Sequence, residues 1–307
     1  MTKLSDSAQN TPRILAITLN WRQPEITMKC VKALQAMNGA GLDIFVIDNG
    51  SKDHSVEYLK NELPATVEFM SLTENGGFAV GNNIGLKKAM AHGYDYALLI
   101  NNDAFATPDL LTELLKEANP NIALISPKIF YDGHKKRLWF AGGKMHRRTL
   151  DLQETGRGQL DGMHWQTSRD VDYVLGTCLL VNLDALEDVG LLDENFFMYF
   201  EDLDWSLRCR QAGKRLRLAA QAHLYHAVAV SSGGLETPVR RYHLARSGVI
   251  FWRRHAKEGN PLAIFFFRLG SSLKMVARLL VTGKTAVLSA YLRGLRDGWL
   301  ASNRDVH

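Results

Sequence analysis

The stretch "YALLINND" (96–103) begins with apolar side chains and ends with two amides and a carboxylate. Residues 97–100 predict a buried β-strand, because they carry no charge and no group that hydrogen-bonds to water. The polar residues that follow are Asn101, Asn102 and Asp103. They can cap the helix expected from Pro108, or they can belong to a site, because open α/β sheets bind ligands at the carboxyl ends of parallel strands.

The first half of the chain repeats this alternation of strand and helix on both sides of the stretch. The predicted strands are 13–20, 42–51, 67–75, 96–103 and 121–127, and the predicted helices are 24–37, 53–61, 79–92 and one after Pro108. Helices of this length between strands indicate right-handed βαβ crossovers. We therefore expect an α/β fold with a Rossmann-like, mostly parallel central sheet and helices on both faces.

The alternation breaks in the second half of the chain. Glycine-rich turns and short aromatic runs in 128–170 predict β-hairpins or a mobile loop. The later predicted elements are a strand at 171–182, a short helix at 183–190, a helix within 196–213 and a helical tail at about 238–300.

The composition describes a chain that can bury a large core and that carries its positive charge at one end. The chain has 307 residues, of which 46% are hydrophobic. Its formal net charge is +5, yet residues 240–307 contain thirteen Lys and Arg against three Asp and Glu. Such a basic region suits anionic lipid headgroups, a phosphate-bearing substrate or nucleic acid.

The basic tail is amphipathic. Within 261–300, apolar residues alternate with Arg268, Lys274, Arg278, Lys284, Arg293 and Arg296. No charge-free run reaches the roughly 18 to 20 residues that span a bilayer, so a helix pair lying on an anionic membrane surface is expected. The alternative is a helical hairpin packed on its own domain or on a second subunit in a homodimer. Nucleic-acid binding is disfavoured, because the cations alternate with aliphatic side chains and not with exposed aromatic ones.

The cysteines and the first twelve residues indicate the cellular compartment of the protein. Cys30, Cys178 and Cys209 lie in apolar patterns without the spacing of a zinc site or a disulfide framework, which predicts a reducing compartment. The polar opening "MTKLSDSAQNTP" lacks the apolar core of an export signal and is expected to be a disordered leader. These features predict a cytoplasmic protein, peripheral on the inner face of the plasma membrane if the tail binds lipid.

Each of the first four predicted strands ends in polar or small residues. These endings are Thr18-Leu19-Asn20, Asp48-Asn49-Gly50-Ser51, Glu74-Asn75-Gly76-Gly77 and Asn101-Asn102-Asp103. In a parallel sheet they gather along one edge, close to helix N-termini that favour phosphate. The combination suits a sugar nucleotide, although each ending taken alone is typical of a turn.

Asp103 is the candidate metal ligand. A diphosphate leaving group needs its developing charge neutralised, and Mg²⁺ or Mn²⁺ does this when held by one or two carboxylates, phosphate oxygens and water. His226 is the candidate second ligand, since imidazole favours Mn²⁺ over Mg²⁺. A lone histidine can equally be structural.

The motif "YFEDLDW" (199–205) supplies a candidate general base. The aromatic run before it can lower the local dielectric and raise the pKa of a carboxylate. Glu201, Asp204 and Arg208 share a helix face and are expected to form an ion network, which leaves Asp202 as the first choice for the base and Glu201 as the second. The alternative is that these acids only cap the helix dipole.

Several motifs together resemble the family 2 glycosyltransferases with a GT-A fold, especially their bacterial rhamnosyltransferase-like branch. The motifs are "ITLNW", "VIDNGSKD", "LTENGGFAVGNNIGL", "LLINNDA", "GTCLLVNLDALEDVGLLDENFFMYFEDLDWSLRCRQAG" and "YHAVAVSSGG". They occur in the family's order and spacing over about residues 12–235. The resemblance implies a GT-A domain (13–237) with a nucleotide-binding half (13–127) and an acceptor and catalytic half (128–237). The composition adds a disordered leader (1–12) and a basic amphipathic helical region (238–307), which the resemblance does not cover well.

The resemblance also assigns roles to matching residues. It places Thr18, Leu19, Asn20 and Asp48 at the base and ribose, and Asn75, Gly76, Gly77 and Asn82 along the nucleotide and donor sugar. Asn101, Asn102 and Asp103 occupy the DxD metal motif, whose first Asp is replaced here by Asn. Asp202, with Glu201 before it, matches the catalytic aspartate, and His226 matches a histidine that some members use as a metal ligand.

The implied reaction is a metal-dependent transfer with inversion at the anomeric carbon. The expected donor is dTDP-rhamnose and the expected acceptor is a lipid-linked or polysaccharide hydroxyl in cell-surface glycan synthesis. The segment 128–170 is a candidate lid or acceptor wall through Trp139, Lys144, Arg147 and Trp165. The alternatives are a UDP- or GDP-sugar donor, or an inactive module that only binds a nucleotide sugar.

Overall fold

The computed structural model describes residues 11–38, 41–134, 136–227 and 236–301. The predicted leader (1–12) lies outside these residues except for its last two. The first half contains β1 (Ile14–Asn20), α1 (Pro24–Gln35), β2 (Leu42–Asp48), α2 (Ser55–Glu62), β3 (Val67–Ser71), α3 (Gly77–Ala91) and β4 (Tyr96–Ile100).

The second half is richer in short strands. It contains β5 (Ala104–Ala106), α4 (Leu110–Leu115), β6 (Ile122–Tyr131), β7 (Leu138–Phe140), β8 (Gly143–Met145), β9 (Leu152–Glu154), β10 (Arg169–Asp170), β11 (Cys178–Asn182), α5 (Leu186–Val189), α6 (Glu201–Gln211) and β12 (Arg215–His226). The described tail forms α7 (Pro238–Arg254), α8 (Pro261–Val281) and α9 (Thr285–Leu300).

The main sheet confirms the predicted α/β class. Its strand order is β10-β12-β6-β11-β4-β1-β2-β3, with β5 beside β12 and β7 beside β6. Strand β1 pairs in parallel with β2 and β4, and β2 pairs in parallel with β3. Strand β11 runs antiparallel between β4 and β6, so its first residue lies at the carboxyl end of β4.

Both faces of the sheet are covered by helices. Ile14 and Ala16 of β1 pack on the side of α1 and α2, whereas Leu15 and Ile17 pack on the side of α3. The alternation follows from the two-residue period of a strand, and burial on both faces explains the continuous apolar runs of β1, β2 and β4.

The second half departs from the sequence prediction in three places. The strand expected at 171–182 begins only at Cys178, because the backbone before it turns aside to contact β8 and α6. The helix expected at 183–190 shortens to α5. Strand β12, which carries His226 and pairs with β6 over almost its whole length, has no counterpart in the prediction.

The helix predicted within 196–213 begins at Glu201 and not earlier. Tyr199 and Phe200 adopt positive φ angles of 66° and 71°, a left-handed turn that a continuous helix does not permit. This turn directs the aromatic run towards α7, where the Phe200 ring contacts Phe251 and Trp252.

The tail helices pack unequally. Helix α9 lies directly on α7: a Cβ at Gly294 would lie 2.4 Å from the carbonyl oxygen of Tyr242, and one at Gly298 would lie 2.6 Å from that of Arg246. Helix α8 instead contacts the chain before β9, through a hydrogen bond from Asn260 N to Arg148 O (2.9 Å). Among the described residues, no helix is long and apolar enough to cross a membrane.

Candidate active site

Hydrogen bonds join three of the predicted strand endings. Asn20 Nδ2 donates to Asp48 Oδ1 (2.7 Å), Thr27 Oγ1 donates to Asn20 Oδ1 (2.7 Å), and Asn102 Nδ2 donates to Thr27 Oγ1 (3.0 Å). All four side chains are buried. Thr27, which sequence reasoning missed, lies on the sheet-facing side of α1, and a hydroxyl on a buried helix face is the signal that could have found it.

The turn after β2 is held by Ser51. Its Oγ donates to Asp48 Oδ1 (2.5 Å) and its N–H donates to Asp48 Oδ2 (3.0 Å). Gly50 has φ +70°, and a Cβ there would lie 2.3 Å from the backbone of Glu74. The ends of β2 and β3 are therefore in close backbone contact, as the predicted crevice requires.

The segment after β3 connects the two halves of the domain. Asn49 Oδ1 accepts from Gly76 N (3.2 Å) and Asn49 Nδ2 donates to Gly77 O (3.0 Å), while Asn75 Oδ1 accepts from Gly77 N (2.8 Å). Gly77 has φ +83°, and a Cβ there would lie 2.3 Å from the carbonyl oxygen of Phe197. Only glycine fits this contact between α3 and the chain that leads into α6.

The remaining residues predicted for the nucleotide lie deeper. Thr18 is fully buried in β1, and Leu19 packs against Gly81 of α3. Asn82 is buried, and its Nδ2 donates to Phe78 O (2.9 Å) within its own helix.

Asp103 and His226 are brought together by the pairing of β5 with β12. His226 Nε2 lies 3.2 Å from Asp103 Oδ1, and both side chains are buried. His226 Nδ1 is buried and has no hydrogen-bond partner among the described residues. The His226 ring packs edge-on against Trp139 of β7, with 4.7 Å between ring centroids.

The donor set fits a hard or borderline cation. A carboxylate oxygen and an imidazole nitrogen are suitable ligands for Mn²⁺, and less so for Mg²⁺, which prefers oxygen. No group of three or more His, Cys, Asp or Glu side chains that could hold a metal occurs in the described parts of the chain. Asp103 and His226 would therefore hold a cation together with oxygens supplied by a phosphate and water.

Asp202 is positioned by two backbone donors at the start of α6. Its Oδ2 accepts from Gly176 N (2.8 Å) and its Oδ1 accepts from Leu203 N (2.9 Å). Burial raises the pKa of Asp202 to about 6, although these two hydrogen bonds lower it, and the charge of Glu154 adds to the rise. The predicted rise in pKa is therefore present, and its cause is burial rather than the aromatic run, which packs towards α7.

Glu201 lies beside Asp202 in a different environment. Its side chain is buried, and its Oε2 has no hydrogen-bond partner within the described ranges. Burial, followed by the negative charge of Asp202, raises the pKa of Glu201 well above its usual value. This carboxyl is therefore the better of the two at keeping a proton.

Asp103 and Asp202 belong to the same edge of the sheet. Cys178, the first residue of β11, pairs with Ile100, the last residue of β4. One residue further on, Asn101 N donates to Thr177 O (2.9 Å), and the neighbouring Gly176 N holds the Asp202 carboxylate. Two adjacent residues, Gly176 and Thr177, thus link the DxD-like segment to the acid at the start of α6.

The predicted ion network is correct for Asp204 and wrong for Glu201. Asp204 Oδ2 accepts from Arg208 Nε (2.8 Å), and its Oδ1 lies 2.8 Å from His255 Nε2 and 3.0 Å from Arg254 Nη1 of α7. Glu201 forms no ion pair with these residues, because it turns into the protein interior. Burial raises the pKa of Asp204, but the His255 hydrogen bond and the nearby cations outweigh it and hold the pKa at about 2.

The sequence matches the family described as glycosyl transferase family 2 over residues 16–190, more than half of the chain, and the chain belongs to that family. It is a nucleotide-sugar glycosyltransferase with the GT-A fold. Its curated relatives are distant in sequence. The dTDP-rhamnosyl transferase RfbF of Shigella flexneri is 22% identical over 72% of this chain and 74% of its own length. The N-acetylglucosaminyl-diphospho-decaprenol L-rhamnosyltransferase of Mycobacterium tuberculosis is 26% identical over 62% of this chain and 68% of its own.

Solved structures show the same fold at low identity. GalNAc-T7 with UDP, GalNAc and Mn²⁺ matches with a TM-score of 0.61 and 12% identity over 81% of this chain. The alignment spans about half of that protein, 51% of its chain. The mannosyltransferase PcManGT from Pyrobaculum calidifontis, in complex with GDP-Man and Mn²⁺, matches with a TM-score of 0.56 and 14% identity over 94% of this chain and 86% of its own.

Proposed function

We propose that the protein is an inverting, metal-dependent glycosyltransferase that moves rhamnose from dTDP-rhamnose to a hydroxyl of a lipid-linked or polysaccharide acceptor in cell-surface glycan synthesis. The observation that carries the proposal is the placement of Asp103, His226 and Asp202 at one edge of the sheet. Two curated relatives are named for transfer of rhamnose, which favours this sugar. The structural relatives were solved with UDP or GDP-Man, so a UDP- or GDP-sugar is the second candidate donor.

The nucleotide occupies the edge formed by β1, β2 and the β3–α3 turn. Asp48 and Asn20 are held by the hydrogen bonds described above, so their remaining polar groups are fixed in advance for the base and ribose. A site that is already ordered loses little entropy on binding. Asn75, Gly76, Gly77, Asn82, Asn101 and Asn102 line the donor, with Thr18 and Leu19 forming the floor beneath it.

Asp202 is the general base. The acceptor oxygen forms its bond to the anomeric carbon as the bond from that carbon to the diphosphate oxygen breaks, and the electron pair leaves with the diphosphate. The acceptor proton passes to Asp202. The rise in its pKa serves this role, since a base is most effective when its pKa approaches the working pH.

Asp103 and His226 would hold the divalent cation, and the bound cation would neutralise charge on the diphosphate. Asn101, in place of the first Asp of the motif, leaves Asp103 as the carboxylate ligand of that segment. The third possibility, an inactive module that binds a nucleotide sugar, conflicts with the Asp202 environment, because an idle carboxylate needs no such tuning.

A thermal-shift panel tests the donor and the metal together. The full chain is heated with dTDP-rhamnose, UDP-glucose or GDP-mannose, each with and without Mn²⁺ or Mg²⁺. A ligand at 100 times its Kd stabilises by about 2.7 kcal/mol, which moves the transition measurably. We expect the largest shift with dTDP-rhamnose and Mn²⁺. A shift confined to another nucleotide corrects the donor, and binding without release of nucleoside diphosphate indicates the inactive module.

The membrane contact is assigned to α8. One stripe of this helix is apolar and 45–70% exposed, and its members are Leu262, Phe266, Leu269, Leu273 and Leu280. Their spacing of three and four residues places them on a single face. Lys274, Lys284 and Arg293 are exposed nearby and suit anionic headgroups. We infer that the protein binds the cytoplasmic face of the plasma membrane through α8, with a homodimer formed through α8 as the alternative.

A further inference from the structure

A cavity of about 370 Å³ lies beside Asp202. Its lining includes Leu152 and Glu154 of β9, Arg157, Tyr173 and Leu175 before β11, and Leu203 of α6. Its volume falls within the range of about 300 to 1,000 Å³ typical of small-molecule sites. The cavity is separate from the edge assigned to the nucleotide, since none of the residues proposed for the base, ribose or metal lines it.

The cavity opens next to the proposed base. Leu203 directly follows Asp202, and Leu175 directly precedes Gly176, whose N–H holds the Asp202 carboxylate. The negative charges of Glu154 and Asp202 both act on the Tyr173 hydroxyl, so Asp202 lies in the neighbourhood of the cavity, although the lining itself is formed by its sequence neighbour Leu203. A molecule in the cavity therefore lies near the proposed base.

The lining is apolar with a neutral polar rim. Leu152, Leu175 and Leu203 supply the apolar surface. Glu154 and Arg157 form an ion pair with each other, so the rim carries no net charge from them. A pyranose ring has C–H groups on its faces and hydroxyls around its edge, and it matches this pattern of apolar floor and polar rim.

Tyr173 has a hydroxyl without a protein partner. Its side chain is 1% exposed, and its Oη forms no hydrogen bond within the part of the chain that the structure describes. Burial raises the pKa of Tyr173, so the hydroxyl keeps its proton and remains a donor. A buried polar group without a partner is destabilising, and a ligand hydroxyl in the cavity would supply the missing hydrogen bond.

The wall of the cavity continues to the proposed metal ligands and to α8. The Arg157 guanidinium lies over the Trp139 ring at 5.1 Å, and Trp139 packs on His226. On the other side, Arg268 Nη2 of α8 donates to Asp151 Oδ1 (2.8 Å), next to Leu152. The cavity thus lies between the site of bond breakage and the helix assigned to the membrane.

We propose that this cavity is the acceptor subsite and that it binds an uncharged pyranose residue, with Tyr173 and the Glu154–Arg157 pair hydrogen-bonding to its hydroxyls. The inference rests on the proposed function, because an acceptor is needed only if sugar transfer occurs. Tyr173, Glu154 and Arg157 are then specificity residues, and the position of α8 explains how a sugar carried on a lipid reaches Asp202.

The test uses the full chain with dTDP-rhamnose, Mn²⁺ and a set of p-nitrophenyl pyranosides, comprising glucoside, galactoside, N-acetylglucosaminide and the charged glucuronide. Release of dTDP is measured with and without each acceptor, and binding of the glycosides is measured by saturation-transfer NMR. We expect an uncharged glycoside to bind and to be preferred to the glucuronide. Tyr173→Phe should raise the KM for that glycoside, or its Kd, roughly fivefold, the loss of about one hydrogen bond.

The controls separate the two proposals. Tyr94→Phe removes a hydroxyl bonded to Asp43 at the opposite end of β4 and should leave the acceptor KM unchanged. Tyr173→Phe should melt no lower than wild type, because it deletes an unpartnered buried group, so a rise in its acceptor KM does not reflect misfolding. An unchanged acceptor KM and Kd, binding of none of the uncharged glycosides, or preference for the glucuronide overturns the subsite. Absence of donor binding and release overturns the proposed function instead.

Discussion

At the scale of single residues, Glu201 and Asp202 are neighbours in different environments. Glu201 is buried and its Oε2 accepts no hydrogen bond in the described structure, whereas Asp202 is half-buried and accepts two backbone N–H bonds. Hydrogen bonds to a carboxylate favour its ionised form, and burial without them favours the acid. Of the two carboxyls, Glu201 therefore holds a proton more strongly, and Asp202 is the better suited to be ionised and to accept one.

This arrangement predicts the pH dependence of turnover. A general base works only when ionised, so dTDP release with acceptor should fall as the pH drops through the pKa of Asp202, about 6. Glu201→Gln should leave this acid limb in place, because the limb belongs to Asp202 and burial favours the protonated form of Glu201. A pH–rate profile checks both; an acid limb that disappears in Glu201→Gln would assign the base to Glu201.

The contact between His226 and Asp103 predicts the metal requirement. His226→Ala removes one of the two proposed protein ligands, and loss even of a group that only orients a ligand weakens metal binding 10- to 100-fold. We expect the Mn²⁺ concentration for half-maximal donor binding to rise at least about tenfold, as measured by calorimetry.

His223→Ala is the matched control, because His223 lies three residues earlier on the same strand. Its ring packs edge-on against Phe130 and does not contact Asp103. Equal Mn²⁺ dependence in the wild type and His226→Ala would make this histidine structural.

At the scale of elements, α6 combines a reactive end with an anchored body. Asp202 lies at its start, whereas Asp204, two residues later, points to the opposite side and binds Arg208, Arg254 and His255. These contacts fix α6 against α7. The same helix therefore holds the base in place through residues that take no part in the chemistry.

The two acids on α6 should respond unequally to the same substitution. Asp204→Asn removes the carboxylate that pairs with Arg208 and one of the two that pair with Arg254, and it should lower the free energy of unfolding by about 3 to 5 kcal/mol. Asp202→Asn should lower it little, because burial already disfavours that charge. Urea unfolding at pH 7 measures both; equal stability of the two variants would contradict the anchoring role.

The Asp204 network also gives the sign of an acid effect. The pKa of Asp204 in the folded protein, about 2, lies below its usual value of 3.8. Its contribution to stability is therefore complete above about pH 4 and is lost as the pH falls towards 2. The variant Asp204→Asn should lack this part of the acid destabilisation.

Sequence patterns predicted the elements best where local periodicity decides the structure. Strands β1 to β4 and helices α1 to α3 were found because buried parallel strands are continuous apolar runs. Strand β12 was missed because its sequence, "RLRLAAQAHLYH", follows a helix closely and is paired mainly with distant β6. The sequence predicts a strand that begins at 171, but the strand begins at Cys178. Long-range contacts, such as that of Gly176 with Asp202, direct the preceding residues away from the sheet, and no local pattern reveals them.

The residues of the candidate site also divide into those that a local sequence pattern indicates and those that only long-range contacts place. Asp48, Asp103, Asp202 and His226 were singled out because carboxylates and imidazoles after strands are visible in the sequence. Thr27, Trp139, Tyr173 and His255 were not assigned their contacts, since each meets its partner across many intervening residues. Spatial proximity of this kind has no local pattern.

At the scale of the whole molecule, the two last helices of the tail differ in how far they are buried. Helix α9 is packed onto α7 with backbone contacts at its glycines, so the expected pair of exposed helices reduces to one. Helix α8 keeps its apolar stripe in contact with solvent. An exposed stripe of this kind marks a surface that contacts a partner or a membrane.

The stripe predicts binding to anionic vesicles. The double variant Phe266→Glu, Leu273→Glu should reduce binding to phosphatidylglycerol-containing vesicles by at least about 100-fold, since burying each of these side chains is worth roughly 1.5 to 3 kcal/mol. Donor binding should be unchanged. Vesicle flotation measures the first and thermal shift the second.

Met163→Glu is the control, because Met163 is 93% exposed but lies in the turn before β10 and not on α8. If the wild type is a dimer that binds no vesicles and the double variant is a monomer, the stripe is the interface with a second copy of the chain.

The most direct test of the central claim is the behaviour of Asp202→Asn with donor and acceptor. The account predicts that this variant binds dTDP and Mn²⁺ with nearly the wild-type Kd while its rate of sugar transfer falls by about 10²- to 10⁴-fold, the usual contribution of a general base. Transfer within a few-fold of the wild-type rate would show that the acid at the start of α6 is not the base.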